Sequence, residues 1–189
     1  MRNLILSGLL ALGIADAASA QQTDPQSIQD PTARDATVSF GGPDPVRLVT
    51  ANGDEFEIMA EIAETPAQKQ RGLMWREAVE PGTGMLFRYE PAEPASMWMR
   101  NTLIDLDLIY IDATGVVVKV IAFAQAESLR SLSSDASVAG VLELGSGQAI
   151  EMGLRPGDTV YHRFFVTETI EEASVDDAAA AEEVPADAQ

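Results

Sequence analysis

The sequence predicts a mainly β, single-domain fold, a β-sandwich or distorted barrel of about seven short strands with one or two short helices. Three observations lead there. The chain has 189 residues of 46% apolar composition, enough for one ordinary core and not two. Patterned hydrophobicity is confined to roughly residues 46–169. Within it, short runs rich in β-branched residues recur between turn signals, the grammar of sandwiches and barrels.

The elements follow in order. Val46 to Thr50 and Phe56 to Ile62 read as strands joined through Asn52-Gly53-Asp54, where Asn-Gly supplies the positive φ of a tight hairpin. Thr65-Pro-Ala-Gln68 opens a short helix: Thr65 suits the N-cap, Pro66 the first helical position, and Gln68 completes a capping box. Gly72 stops it after roughly two turns. Gly84 to Arg88 is a brief strand, and Pro91 and Pro94 mark a loop after it. Extended structure resumes at Met97-Trp98-Met99, whose alternation turns both methionines to one face and Trp98 to the other. Leu106 to Ile111 is apolar on both faces, as a doubly buried strand would be. Ala113-Thr-Gly115 turns it into Val116 to Ile121, a hairpin. Serine-rich residues 128–137 form a mobile connection, Val138 to Leu144 a further strand, and Gly145 to Gly153 a turn or two of helix. Arg155-Pro-Gly-Asp158 then leads into a last strand, Thr159 to Val166.

The flanks differ in kind. Arg2, the apolar run Leu4 to Ile14 and Ala18-Ser19-Ala20 are the three parts of a secretory signal peptide, so cleavage is expected near Ala20. A transmembrane anchor would need about 20 apolar residues, and Asp16 interrupts a shorter run. The mature chain, with no membrane span, is therefore expected to be periplasmic or extracellular. Proline-rich residues 21–45 read as a disordered linker, 46–169 as the β-rich domain, and 170–189, an Ala, Asp and Glu stretch, as a disordered acidic tail.

Composition excludes several chemistries. There is no cysteine, hence no disulfide, thiolate nucleophile or Cys-ligated metal. The single histidine, His162, has no Gly-x-Ser-x-Gly partner for a serine-hydrolase triad and no second histidine for a zinc site, and phosphate-binding glycine loops are absent. Soft copper ligation by Met74, Met97, Met99 or His162 is one metal reading; core packing is the ordinary role of strand methionines, and neither a metal nor a cofactor is expected. A net charge of −18 without Lys/Arg clusters argues against nucleic acid as a partner.

Two constellations remain. Trp98, beside Asn101 and Thr102, offers a flat apolar surface next to amide and hydroxyl groups. That is what a small polar or carbohydrate-like ligand uses, with Arg71 and Arg76 available for a carboxylate. Asp105 and Asp107, two apart on one strand, share a face, and Glu143 lies on another strand. Such acids would hold a hard cation or do general acid–base work, a hydrolase using Asp107 and Glu143 provided both reach one pocket within about 10 Å. The same residues also admit a plain reading, with Trp98 in the core and Asn101-Thr102 in a turn bonded to backbone.

Arg71-Gly-Leu-Met74 with Arg76, Gly84-Met-Leu-Phe87, Trp98-Met99, Asn101-Thr102, Leu106-Asp-Leu-Ile109, Ile111-Asp112 and Val141-Leu-Glu-Leu144 together resemble the family called domain of unknown function 192, over roughly 46–166. The resemblance implies a small mostly-β bacterial domain, often behind a signal peptide or lipid anchor, with no established activity. It carries Arg71, Gly72, Met74, Arg76, Gly84, Met85, Trp98, Met99, Asn101, Thr102, Asp107 and Glu143 as positions of interest. Departures are Met97 where the family usually has an aromatic, Arg100 for lysine and Asp105 for proline. The expectation is a binding or accessory module of the cell envelope; a carboxylate-pair hydrolase and a protein-interaction domain are the alternatives.

Overall fold

The computed structural model describes residues 29–165. The signal peptide and the acidic tail expected at the two ends lie outside them. Seven strands form one curled sheet: β1 (Gly41–Val49), β2 (Glu55–Ala63), β3 (Thr83–Met97), β4 (Leu106–Ile111), β5 (Val117–Ala124), β6 (Leu132–Gly145) and β7 (Thr159–Tyr161). Helix α1 (Pro66–Arg71) lies between β2 and β3, and α2 (Gln148–Glu151) between β6 and β7. The spatial order is β5-β4-β6-β3-β2-β1-β7. Neighbours are antiparallel except β2 and β3, which run parallel because α1 and the turns after it carry the chain back across the sheet.

The curl brings the two edge strands together at one end. Val117 N–H donates to Asp158 O at 2.8 Å, Val160 N–H to Gly115 O at 2.7 Å, and Gly157 N–H to Val117 O at 2.8 Å. Edge groups that would otherwise be open to pairing are thereby satisfied at that end, and the architecture is a partly closed barrel. Its interior collects side chains from all seven strands, among them Val46, Leu48, Ile58, Leu86, Ile109, Leu142 and Val160. The opposite face of the central strands β3, β6 and β4 is buried as well. There Met85, Phe87, Leu108, Tyr110 and Val141 cluster with Ala95 of β3 and with Leu73 and Met99 from the covering segments. Double burial explains why Leu106 to Ile111 is apolar without alternation.

The local sequence chemistry of α1 is realised in full. Thr65 N–H donates to Gln68 Oε1 at 2.9 Å and Gln68 N–H to Thr65 Oγ1 at 3.3 Å, with Pro66 at the first position. Gly72, at φ +45°, ends the helix; a Cβ there would meet the Phe87 ring at 3.1 Å, so both conformation and space favour glycine.

Three expectations are corrected. Pro91 and Pro94 do not open a loop but lie within the long β3, at register shifts where the ladder to β6 is interrupted and an absent N–H costs nothing. Residues 132–137 are not a mobile connection but the first half of β6. Ser134 replaces missing ladder bonds there, accepting from Ala95 N–H at 3.0 Å and donating to Ala136 O at 2.6 Å. Of the linker read as disordered over 21–45, the described part, 29–45, is structured: it packs on the domain with Ala36 buried, and β1 begins at Gly41.

Candidate functional site

Strand β6 runs down the centre of the sheet between β3 and β4, and Glu143 sits in it opposite Met85 on one side and Leu108 on the other. Its carboxyl therefore lands on the covered face, among apolar neighbours, with 4% of the residue exposed. Burial pushes its pKa up to about 8, and no charge or hydrogen bond among the described residues counteracts that. At neutral pH the group is mostly an uncharged acid, able to donate one hydrogen bond and accept another. Two phenols nearby are raised too, Tyr89 to about 12, chiefly by burial and secondarily by the Glu143 charge.

A crevice opens over this carboxyl. Lys69 to Met74 of the helix end form one wall, Met97, Trp98 and Thr102 the other, and Phe87 and Glu143 lie between. The free space is only about 20 Å³, room for one water-sized group. Trp98 is 49% exposed with the Arg100 guanidinium 5.6 Å from its ring centroid, while Met99 behind it is fully buried. The alternation read from the sequence thus holds for Trp98 and Met99, and Met97 is partly buried, its sulfur accepting from Tyr89 Oη at 3.4 Å.

The structure thus brings Arg71, Trp98 and Thr102 together around Glu143, and leaves Asn101 and Arg76 outside. Thr102 is held as the plain reading has it: its N–H donates to Met99 O at 3.1 Å and its hydroxyl to Arg100 O at 3.5 Å. Arg76 is committed to Glu61 at 2.5 Å. Asn101, at φ +59°, takes a left-handed conformation asparagine tolerates. Its carboxamide faces Thr32 O at 3.4 Å and the Met74 sulfur at 3.8 Å. Arg71 turns its guanidinium to the segment before β1, donating to Pro31 O at 3.2 Å and Ala33 O at 2.5 Å.

The Asp107–Glu143 pair does not meet the condition that hydrolysis requires. In the β4–β6 ladder Leu108 lies opposite Glu143 and Asp107 opposite Leu144, so the two carboxyls project from opposite faces of the sheet. Asp107 is a fully buried staple: Oδ1 accepts from Phe123 N–H and Oδ2 from Ala149 N–H, both at 2.9 Å, tying β5 and α2 to β4. Asp158, which the sequence gives no reason to single out, does the same elsewhere, accepting from Ala51 N–H at 2.8 Å and Arg155 N–H at 2.6 Å. His162 is half-buried as a residue, with its imidazole 3% exposed; Nδ1 accepts from Phe164 N–H at 3.3 Å, and Nε2, 3.5 Å from Asp44, has no hydrogen-bond partner among the described residues.

A curled seven-stranded sheet with two short helices and a crevice beside one buried acid defines a small, mainly β domain. The family model for DUF192, described as an uncharacterized ACR, matches residues 47–162, and the chain belongs to that family. Two solved structures are similar. One, from Sinorhizobium meliloti 1021 and provisionally described as a transcription regulator, is 36% identical; the match covers 67% of this chain and 97% of that one, with a TM-score of 0.64. The other, from Novosphingobium aromaticivorans DSM 12444 and of unknown function, is 33% identical, covering 62% and 84%, with a TM-score of 0.60. Among curated proteins none matches the chain.

Proposed function

We propose that the domain is an exported, non-enzymatic binding module that takes a hydroxyl- or amide-bearing ligand, carbohydrate-like in character, in the crevice over Glu143. The observation that carries the reading is the Glu143 carboxyl itself, on a residue only 4% exposed that lines the crevice, with its pKa raised by desolvation alone. An incoming group that both donates to and accepts from this desolvated carboxyl gains a net hydrogen bond of roughly 0.5–1.5 kcal/mol. The dimensions favour one hydroxyl or amide at the floor, with the rest of the ligand resting on the half-exposed Trp98. The leader read at residues 1–20 supports a place for such a module in the cell envelope.

A second reading comes from the Sinorhizobium relative, provisionally described as a transcription regulator. Electrostatics weigh against its extension to this chain. Net charge is −18, and Arg47, Arg76, Arg88, Lys119 and Arg163 are engaged by Glu55, Glu61, Glu64, Asp135 and Asp44, which leaves those cations poorly placed for phosphate contacts.

The test is a thermal-shift screen of sugars, amino acids and peptidoglycan fragments on the mature chain, with Trp98→Ala and Glu143→Leu in parallel. A ligand at about 100 times its Kd stabilises by about 2.7 kcal/mol. A shift present in wild type and lost in both variants supports the module. Equal shifts in all three proteins, or none in any, refute the crevice as the binding site.

A further inference from the structure

The segment ahead of β1 lies over the domain as a strap, and its hold is unusual in kind. Three successive main-chain carbonyls are taken by side-chain N–H donors of the domain. Pro31 O and Ala33 O accept from the Arg71 guanidinium at 3.2 and 2.5 Å, and Thr32 O accepts from Trp75 Nε1 at 3.0 Å and from Asn101 Nδ2 at 3.4 Å. None of these hydrogen bonds involves a strap side chain. The strap shapes itself: Thr32 N–H and Oγ1 both donate to Asp30 Oδ1, and Ala33 N–H donates to Asp30 O at 3.0 Å. The Arg34 guanidinium adds a contact 5.5 Å over the Trp75 ring.

The receiving groups are fixed in advance. Trp75 holds a left-handed φ of +67°, uncommon for a bulky residue, and its N–H donates to Asn101 O at 2.9 Å, so the two left-handed residues brace each other. A cavity of about 480 Å³ runs on from the cradle between Ala36–Phe40 and the Arg71–Arg76 stretch, so the strap does not fill the space beside it.

We propose that Arg71, Trp75 and Asn101 form a main-chain-reading cradle for an irregular polypeptide segment, occupied in cis by Asp30–Ala33 and open to exchange with such a segment of a partner protein. Donors that address carbonyls alone select chain shape and leave sequence largely free. The proposal stands apart from the ligand of the Glu143 crevice, although Arg71 borders both places.

The chain has no cysteine, so a spin label on Asp35→Cys, at an exposed strap position, reports on the strap alone in the full mature chain. The strap spectrum is immobilised in the parent, and Arg71→Gln or Trp75→Phe raises the mobile fraction several-fold while circular dichroism stays unchanged. The decisive probe is a synthetic peptide of residues 29–36. A short cis tether gives an effective concentration of order millimolar, so peptide at about 10 mM displaces most straps, saturably, and a peptide with its carbonyls reduced to methylenes does not. A strap mobile in the parent overturns the proposal. So does a strap that peptide leaves immobile while Arg71→Gln frees it, which makes it a fixed part of the fold.

Discussion

Replacing Glu143 by glutamine is the perturbation most directly set by the structure. The glutamate titrates near 4.5 when unfolded and near 8 when folded, because burial disfavours its charged form. Between those values the folded chain holds one proton that the unfolded chain has released. Unfolding stability therefore falls as pH rises, by about 1.4 kcal/mol per pH unit. The stabilisation is fully present below about pH 4.5 and is lost by about pH 8. From pH 5.5 to 7.5 this single group costs about 2.7 kcal/mol, a large share of a typical domain's stability. Glu143→Gln keeps the shape of the neutral acid and abolishes the titration. Urea unfolding of both proteins at pH 5.5, 6.5 and 7.5 isolates the effect, because every other titrating group is common to the two. The wild-type midpoint should fall relative to the variant's by an amount equivalent to about 2–3 kcal/mol over that range. Parallel pH dependences would refute the uncharged buried acid, and with it the ligand chemistry built on it.

Three further outcomes follow from contacts described above. Asp107→Asn puts an amide N–H₂ where a carboxylate accepts two N–H donors, so urea unfolding should show a loss of about 2–4 kcal/mol, with ligand shifts in the thermal screen intact; an equal loss of binding would make Asp107 part of the site. Gly84→Ala would place a Cβ 2.5 Å from Glu143 O and 2.8 Å from Leu144 Cδ2, forcing β3 from β6 at a cost of about 1–3 kcal/mol, read by thermal unfolding. Thr65→Ala removes half of the capping box and should lower stability by about 1 kcal/mol, with amide exchange accelerating first in α1.

What the sequence reveals and what it hides divide along a physical line. Signals acting within a few residues are legible: the Thr65–Gln68 box, the Asn52-Gly53 hairpin, the Gly115 turn and the doubly apolar β4 all stand where local chemistry puts them. Effects that depend on a distant partner are not. Pro91 and Pro94 look like loop formers until the register of β6 shows which N–H groups the ladder skips. The serines of 132–137 look mobile until Ser134 meets Ala95. Asp107 and Glu143 look like a pair because strand spacing fixes which face each takes only once β4 and β6 are known to be neighbours in that register. The strap escapes notice because what holds it is its backbone, which every sequence has.

The residues shared with the family pattern consequently separate into distinct physical jobs. Gly72 and Gly84 are steric necessities, Asp107 joins β4 to α2 and β5, and Arg76 is spent on Glu61. Arg71 and Asn101 hold a main chain, and Glu143 lines a cavity together with Trp98 and Thr102. A motif so divided is not one active site. Its compactness in sequence follows from topology: the parallel β2–β3 crossover sends residues 64–82 over the same face that residues 98–105 cover, and β6 runs beneath both. Variants across the motif should therefore fall into separable phenotypes, with stability lost at Gly84 and Asp107, strap mobility gained at Arg71 and Trp75, and binding lost at Trp98 and Glu143. A single shared phenotype would point instead to one cooperative site spanning the whole face.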